Sequence, residues 1–151
     1  MRLRLQYFEQ KKDYDCGAAA LKMVLAAYGH RVPLFKLLRQ LRTTEKNGTT
    51  RRGMARVARL YGLRVEAHCD SSLAELRRLV RERGTAVVEY ILPDFEGAHY
   101  AVVSGFSAGR ILLHDPTKGR YYKLAEKEFV KRWYGRHRTA HKRWLLNVSL
   151  R

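Results

Sequence analysis

The chain has 151 residues and a mass of 17.6 kDa, which favours one domain, residues 1–151, over two. Hydrophobic residues at 46% and charged residues at 30% exclude wholesale disorder, and the length suffices to bury a core without disulfides or metals. Lys and Arg number 31 against 14 Asp and Glu, so the net charge of +17 predicts attraction to polyanions or acidic peptides and says nothing about fold.

The first helix is expected from Asp15-Cys16-Gly17 to Gly29, with Asp15 as N-cap and Leu21, Val24, Leu25 and Tyr28 on one face. A second runs from Pro33 to Arg42, with Leu34, Leu37, Leu38 and Leu41 turned inward. Thr50 is placed to cap a third, whose buried stripe is Met54, Val57, Ala58 and Tyr61. Ser72-Leu73-Ala74-Glu75 fits a capping box and opens a fourth helix that ends at Gly84. Beyond Gly84 the period changes. Ala86 to Leu92 suits a strand buried on both faces, and His99 to Phe106 and Arg110 to Asp115 suit a hairpin across Ser107-Ala108-Gly109. Arg120 to Leu124 and Leu145 to Leu150 complete an antiparallel sheet, with a short helix from Glu126 to Trp133 between them. Helices first and strands later predict an α+β architecture.

Cys16 stands at the first turn of a predicted helix, where unpaired backbone N–H groups and the helix dipole favour a thiolate nucleophile. Asp15 opposes this with a negative charge next door, so strong activation needs a basic partner; otherwise Cys16 packs as a small hydrophobe. Hairpin arithmetic supplies a candidate partner. A turn near Ala108 sets His99 opposite a residue between about 115 and 118, which makes Asp115 its direct or diagonal neighbour. A carboxylate beside an imidazole fixes its tautomer and stabilises the imidazolium. The ordinary alternatives are a structural histidine at a strand end and a turn-forming aspartate before Pro116. His114 has the opposite strand parity from Asp115 and is set aside as the base.

Several segments together resemble one family. Gln10-Lys11-Lys12-Asp13-Tyr14-Asp15-Cys16-Gly17-Ala18-Ala19 resembles the Gln-x5-Cys-Gly-x-Ala signature of the double-glycine leader peptidases that process bacteriocins, which are papain-like cysteine peptidases. Met23-Val24-Leu25 to Tyr28-Gly29, Gly48-Thr49-Thr50 and Tyr61-Gly62-Leu63 are similar in the same order. His99-Tyr100-Ala101-Val102-Val103, Asp115-Pro116, Phe129 and Trp133 match the second half, so the resemblance runs from Gln10 to Leu150. It implies a papain-like fold with a helical half on an antiparallel sheet half and the cleft between them. It further implies Cys16 as nucleophile, His99 as general acid and base, Asp115 as its orienting group, and Gln10 as an oxyanion-hole donor. No cofactor is implied. The implied substrate is a peptide precursor cut after a small-residue pair such as Gly-Gly. In the family the domain commonly opens a membrane transporter, so a separate transporter is an implied partner; Ala20 stands where a second cysteine is often found.

Other readings compete. Pro116 to Arg151 carries 11 Lys and Arg against 2 Glu, interleaved with Trp133, Tyr134 and Trp144, as in nucleic-acid-binding surfaces. A basic module that binds nucleic acid or a leader peptide without catalysis is therefore the alternative function. His137 and His141 lie at a zinc-compatible spacing, but no Glu follows the first and no cysteine pair completes a site. Cys69 is expected to pack. No apolar run approaches the ~18 residues of a transmembrane helix. Met1-Arg2-Leu3-Arg4-Leu5-Gln6 lacks the apolar block of a secretory signal. Two cysteines predict a reduced, cytoplasmic protein, peripheral at the inner membrane face if it docks on a transporter.

Overall fold

The computed structural model describes residues 4–94, 97–135 and 142–151. Three helices come first: α1 (Cys16–Ala27), α2 (Leu34–Leu41) and α3 (Arg51–Leu60). Strand β1 (Arg64–His68) and helix α4 (Leu73–Arg83) follow, then β2 (Thr85–Ile91), β3 (Ala98–Ser107), β4 (Arg110–Asp115) and β5 (Gly119–Ala125). Helix α5 (Glu126–Arg132) and strand β6 (Leu145–Ser149) close the chain. The strands form one antiparallel sheet in the order β1-β6-β2-β3-β4-β5. The architecture is α+β, as the sequence predicts.

The helix signals hold with one exception. Thr50 Oγ1 accepts from Gly53 N–H and Ser72 Oγ from Glu75 N–H, each satisfying an orphan donor of a first turn. Asp15 does not cap α1 through its side chain. Its own backbone is already helical (φ −92°, ψ 0°), and its Oδ2 accepts instead from Lys12 N–H at 3.1 Å. The sequence also gives no warning of β1. Arg64-Val65-Glu66-Ala67-His68 is a short, charged segment at the sheet edge, and it becomes a strand only because β6 supplies its backbone partners.

The sheet divides the core in two. On one face α1, α2 and α3 cover Val87, Tyr100, Val102, Leu146 and Val148. On the other, α4 and α5 cover Val88, Tyr90, Ala101, Leu113 and Leu145. Strand β2 is buried along its whole length because both faces are covered. Helix α1 is buried over most of its turns, and Ala18, Ala19 and Ala20 let its first turns pack tightly. Trp133 and Trp144 belong to this interior: they are 1% and 3% exposed, and Trp133 Nε1–H donates to Trp144 O at 2.9 Å. They offer no stacking platform for bases, which removes two of the three aromatics of the nucleic-acid reading; Tyr134 is half-buried.

The hairpin between β3 and β4 closes through two residues, Ala108 (φ +50°) and Gly109 (φ +77°), both left-handed as a type I′ turn requires. A bulge between Val103 and Gly105 then shifts the register, so that Val103 faces Leu113 and Val102 faces His114. This register sets the geometry of the site.

Candidate active site

Cys16 opens α1 and is 8% exposed. Its helix can start there because residue 17 has no side chain: a Cβ on Gly17 would stand 2.5 Å from Thr49 Cβ. Thr49 is held in turn by the Thr43 hydroxyl at 2.8 Å and by Tyr100 O–H, which donates to its carbonyl at 2.9 Å. Local sequence places Cys16 at a helix start; the close fit of Gly17 on Thr49 sets its position against the sheet.

His99 lies on β3, 4% exposed, with Nε2 2.7 Å from Asp115 Oδ1. Cys16 stands near enough to the ring to favour its protonated form. Burial pushes the imidazole down, but the hydrogen bonds and charges of Asp115 and Cys16 outweigh it and raise His99 from 6.5 to about 9. Asp115 responds the other way. Burial pushes it up, yet His99, the Tyr90 hydroxyl and backbone N–H donors hold it below the ordinary aspartate value.

The carboxylate is fully occupied. Oδ1 accepts from His99, from Thr117 N–H at 2.9 Å and from Lys118 N–H at 3.0 Å. Oδ2 accepts from the Tyr90 hydroxyl. Tyr90 is directly opposite His99 in the β2–β3 ladder, and burial together with the Asp115 charge raises its phenol well above the usual value, so it stays a donor. Gln10 joins the same corner from the N-terminal segment. Its N–H donates to Pro116 O at 3.1 Å, its Oε1 accepts from the Thr117 hydroxyl at 2.7 Å, and its Nε2 donates to Lys12 O at 2.8 Å.

Cys16, His99 and Asp115 thus meet, and Gln10 flanks the turn that follows Asp115. His114 stands apart, 2% exposed between the rings of Tyr7 and Tyr121. Cys69 does not pack as expected; it is exposed in the turn after β1. His137 and His141 lie outside the described residues, and among the described residues no group of three or more His, Cys, Asp or Glu could hold a metal. Sequence reasoning missed Tyr90, Thr117 and the Arg51–Glu89 ion pair (2.7 Å) behind the site. Tyr90 was findable from the β2–β3 register; Thr117 and Arg51 gave no signal of their own.

A thiol beside an imidazole whose Nε2 is held by a buried carboxylate can pass its proton to the ring and attack a carbonyl carbon. With the α+β fold, that arrangement defines the class: a papain-like cysteine peptidase. The chain belongs to the peptidase C39 family, whose model matches residues 4–143. It is 30% identical over 131 residues to the lactococcin-A transport/processing ATP-binding protein LcnC of Lactococcus lactis, covering 85% of this chain. The transport/processing ATP-binding protein ComA of Streptococcus pneumoniae is 34% identical over 131 residues, again 85% of this chain. The chain spans 18% of the length of each of these relatives. Among solved structures, the peptidase domain of Streptococcus ComA superposes with a TM-score of 0.79 at 20% identity, covering 98% of this chain and 100% of that one. A double glycine motif protease from an AMS/PCAT transporter, in complex with its leader peptide, superposes at 0.73 with 23% identity, covering 99% and 94%. These two likenesses establish the fold.

Proposed function

We propose that residues 1–151 form a single peptidase domain that cleaves a peptide precursor after a double-glycine-type leader. One observation carries this: the buried His99–Asp115 hydrogen bond, with Cys16 at the start of α1 close enough to the same imidazole to favour its protonated form. The relatives named for transport and processing, and the structural neighbour bound to its leader peptide, support the substrate class.

In this scheme Cys16 Sγ gives its proton to His99 and attacks the scissile carbonyl carbon. The oxyanion is held by the Cys16 backbone N–H, unpaired at a helix start, and by the Gln10 amide, one such donor contributing about 3 kcal/mol. His99 then protonates the leaving amine as the C–N bond breaks, leaving a Cys16 thioester. Water, deprotonated by His99, attacks that thioester, and the thiol regains its proton as the acid product departs. Asp115 keeps the ring oriented throughout, held itself by Tyr90, Thr117 and Lys118. The partners we assign are the precursor with its leader and a separate membrane transporter. The domain then works on the cytoplasmic side, at the membrane periphery; no helix among the described residues is long and apolar enough to cross it.

The test is mass spectrometry of a synthetic precursor with a Gly-Gly junction, incubated with wild type and Cys16→Ala. Cleavage after the pair by wild type, and none by a variant with unchanged circular dichroism, is expected. Turnover surviving in Cys16→Ala overturns the mechanism.

A further inference from the structure

Helices α2 and α3 contain no acidic residue, and their outward sides form one cationic face. Arg52, Arg56 and Arg59 follow at i, i+4 and i+7 along the exposed side of α3, while Phe35 and Arg39 stack at i, i+4 on α2. The two rows join at Gln40: Arg56 donates to its backbone carbonyl at 2.9 Å, and Tyr61 O–H to its Oε1 at 2.9 Å. Among the described residues no carboxylate pairs with Arg39, Arg52, Arg56 or Arg59. The charge is therefore not spent inside the molecule. By contrast, Arg77 and Arg132 on α4 and α5 pair with Glu126 and Glu128.

Two large apolar side chains stand among these cations. Phe35 is 68% exposed and Leu60 is 65% exposed, the two most exposed large hydrophobics among the described residues. Leu60 follows Arg56 by four residues, on the same side of α3. Cations alone would suit any polyanion. Exposed Phe and Leu between them suit a surface whose phosphates overlie an apolar layer, because apolar side chains are driven out of water into that layer. An aliphatic Leu has no stacking role on bases, and the two tryptophans that would stack are buried.

We propose that the outward face of α2 and α3 docks on an anionic lipid bilayer, with Arg39, Arg52, Arg56 and Arg59 on headgroup phosphates and Phe35 and Leu60 entering the acyl boundary. The proposal rests on the peripheral placement given above but not on catalysis. Each Lys or Arg near an anionic leaflet contributes about fivefold in affinity, and the contribution is screened by salt. The apolar part is not screened.

The experiment is co-sedimentation of the full chain with vesicles of phosphatidylcholine alone or mixed equally with phosphatidylglycerol, which reads binding without any cleavage. Wild type should prefer the anionic vesicles by at least about tenfold. Arg39→Glu, Arg52→Glu and Arg59→Glu combined should remove most of that preference. A matched triple elsewhere, Arg110→Glu, Lys127→Glu and Lys131→Glu, should cost far less. Phe35→Ser with Leu60→Ser should lose the binding that persists at high salt. All variants are first matched to wild type by thermal unfolding; because every substituted side chain is exposed, none removes core packing. Equal losses from the two triples assign binding to diffuse net charge and overturn the proposal. So does a face whose charge reversal abolishes binding to a DNA duplex while Phe35→Ser with Leu60→Ser leaves vesicle binding unchanged.

Discussion

His99 and Asp115 are not paired in the β3–β4 ladder; they meet on its diagonal at 2.7 Å. Val102 faces His114, so the residue opposite Asp115 in that register is Ala101, and His99 reaches across two positions. The diagonal leaves room for Thr117 and Lys118 to turn their N–H groups back onto Oδ1. A direct pair would have placed the turn elsewhere.

This contact governs the pH dependence of activity. His99 is raised to about 9, with its proton held against burial by Asp115 and Cys16. Turnover should therefore fall on the alkaline side as the imidazolium is lost near that value. Asp115→Asn removes a negative charge and leaves a weaker acceptor, so the alkaline limb should move to lower pH. Turnover should also drop by about 10²-fold or more, with little change in KM. Steady-state cleavage of a precursor peptide across pH measures both, and an unmoved limb would remove Asp115 from its orienting role.

Stability should show the same groups with opposite signs. His99 has a folded pKa above its unfolded value, so its contribution is complete below about pH 6.5 and is lost as pH rises towards 9. Asp115 is lowered on folding, so its contribution is present above the ordinary aspartate value and lost as pH falls through and below it. Thermal unfolding should thus be highest on a plateau between those limits. In His99→Gln the decline above neutrality should flatten.

Gln10 and Thr117 separate two kinds of damage. Alkylation of Cys16 by iodoacetamide forms no oxyanion, whereas peptide hydrolysis does. Gln10→Ala should lower kcat/KM by about 10²-fold, leaving the alkylation rate near wild type. Thr117→Val keeps the N–H on Asp115 but removes the hydroxyl that fixes Gln10 Oε1, so it should show a smaller loss of the same kind. Thr117→Ser should restore most of it. Equal losses in hydrolysis and alkylation would place Gln10 with the nucleophile instead.

Gly17→Ala tests how α1 is seated. The new Cβ would meet Thr49 Cβ at 2.5 Å and Oγ1 at 2.8 Å, in a residue held by the Thr43 hydroxyl at its side chain and by Tyr100 O–H at its carbonyl. The expected cost is about 1–3 kcal/mol by urea denaturation, with a larger fractional loss of turnover because Cys16 shifts against His99. Thr49→Ala in the same chain should recover part of the stability.

Tyr90→Phe leaves Oδ2 of a buried carboxylate without its donor. About 1–3 kcal/mol of stability should be lost. Removing a donor from the carboxylate also raises its pKa, so the acid limb of the activity profile should move up in pH. A purely packing role for Tyr90 would lower stability with the limb unchanged.

Local signals were legible wherever a residue acts on its own neighbours. Thr50 and Ser72 capped the helices they were expected to cap, the 3.6-residue stripes identified the buried faces, and Ala108-Gly109 turned the hairpin. The order of Cys16, His99 and Asp115 along the chain sufficed to nominate them, since the hairpin constrains which residues oppose His99. What the sequence did not hold was anything requiring a partner distant in the chain. β1 is a strand because β6 pairs with it. Tyr90 and Thr117 reach Asp115 only once β2, β3 and the turn after β4 are brought together. Periodicity and capping are written in contacts a few residues long, so sequence alone determines them. The placement of one carboxylate among four donors depends on register, a bulge and burial, which exist only after the sheet has closed.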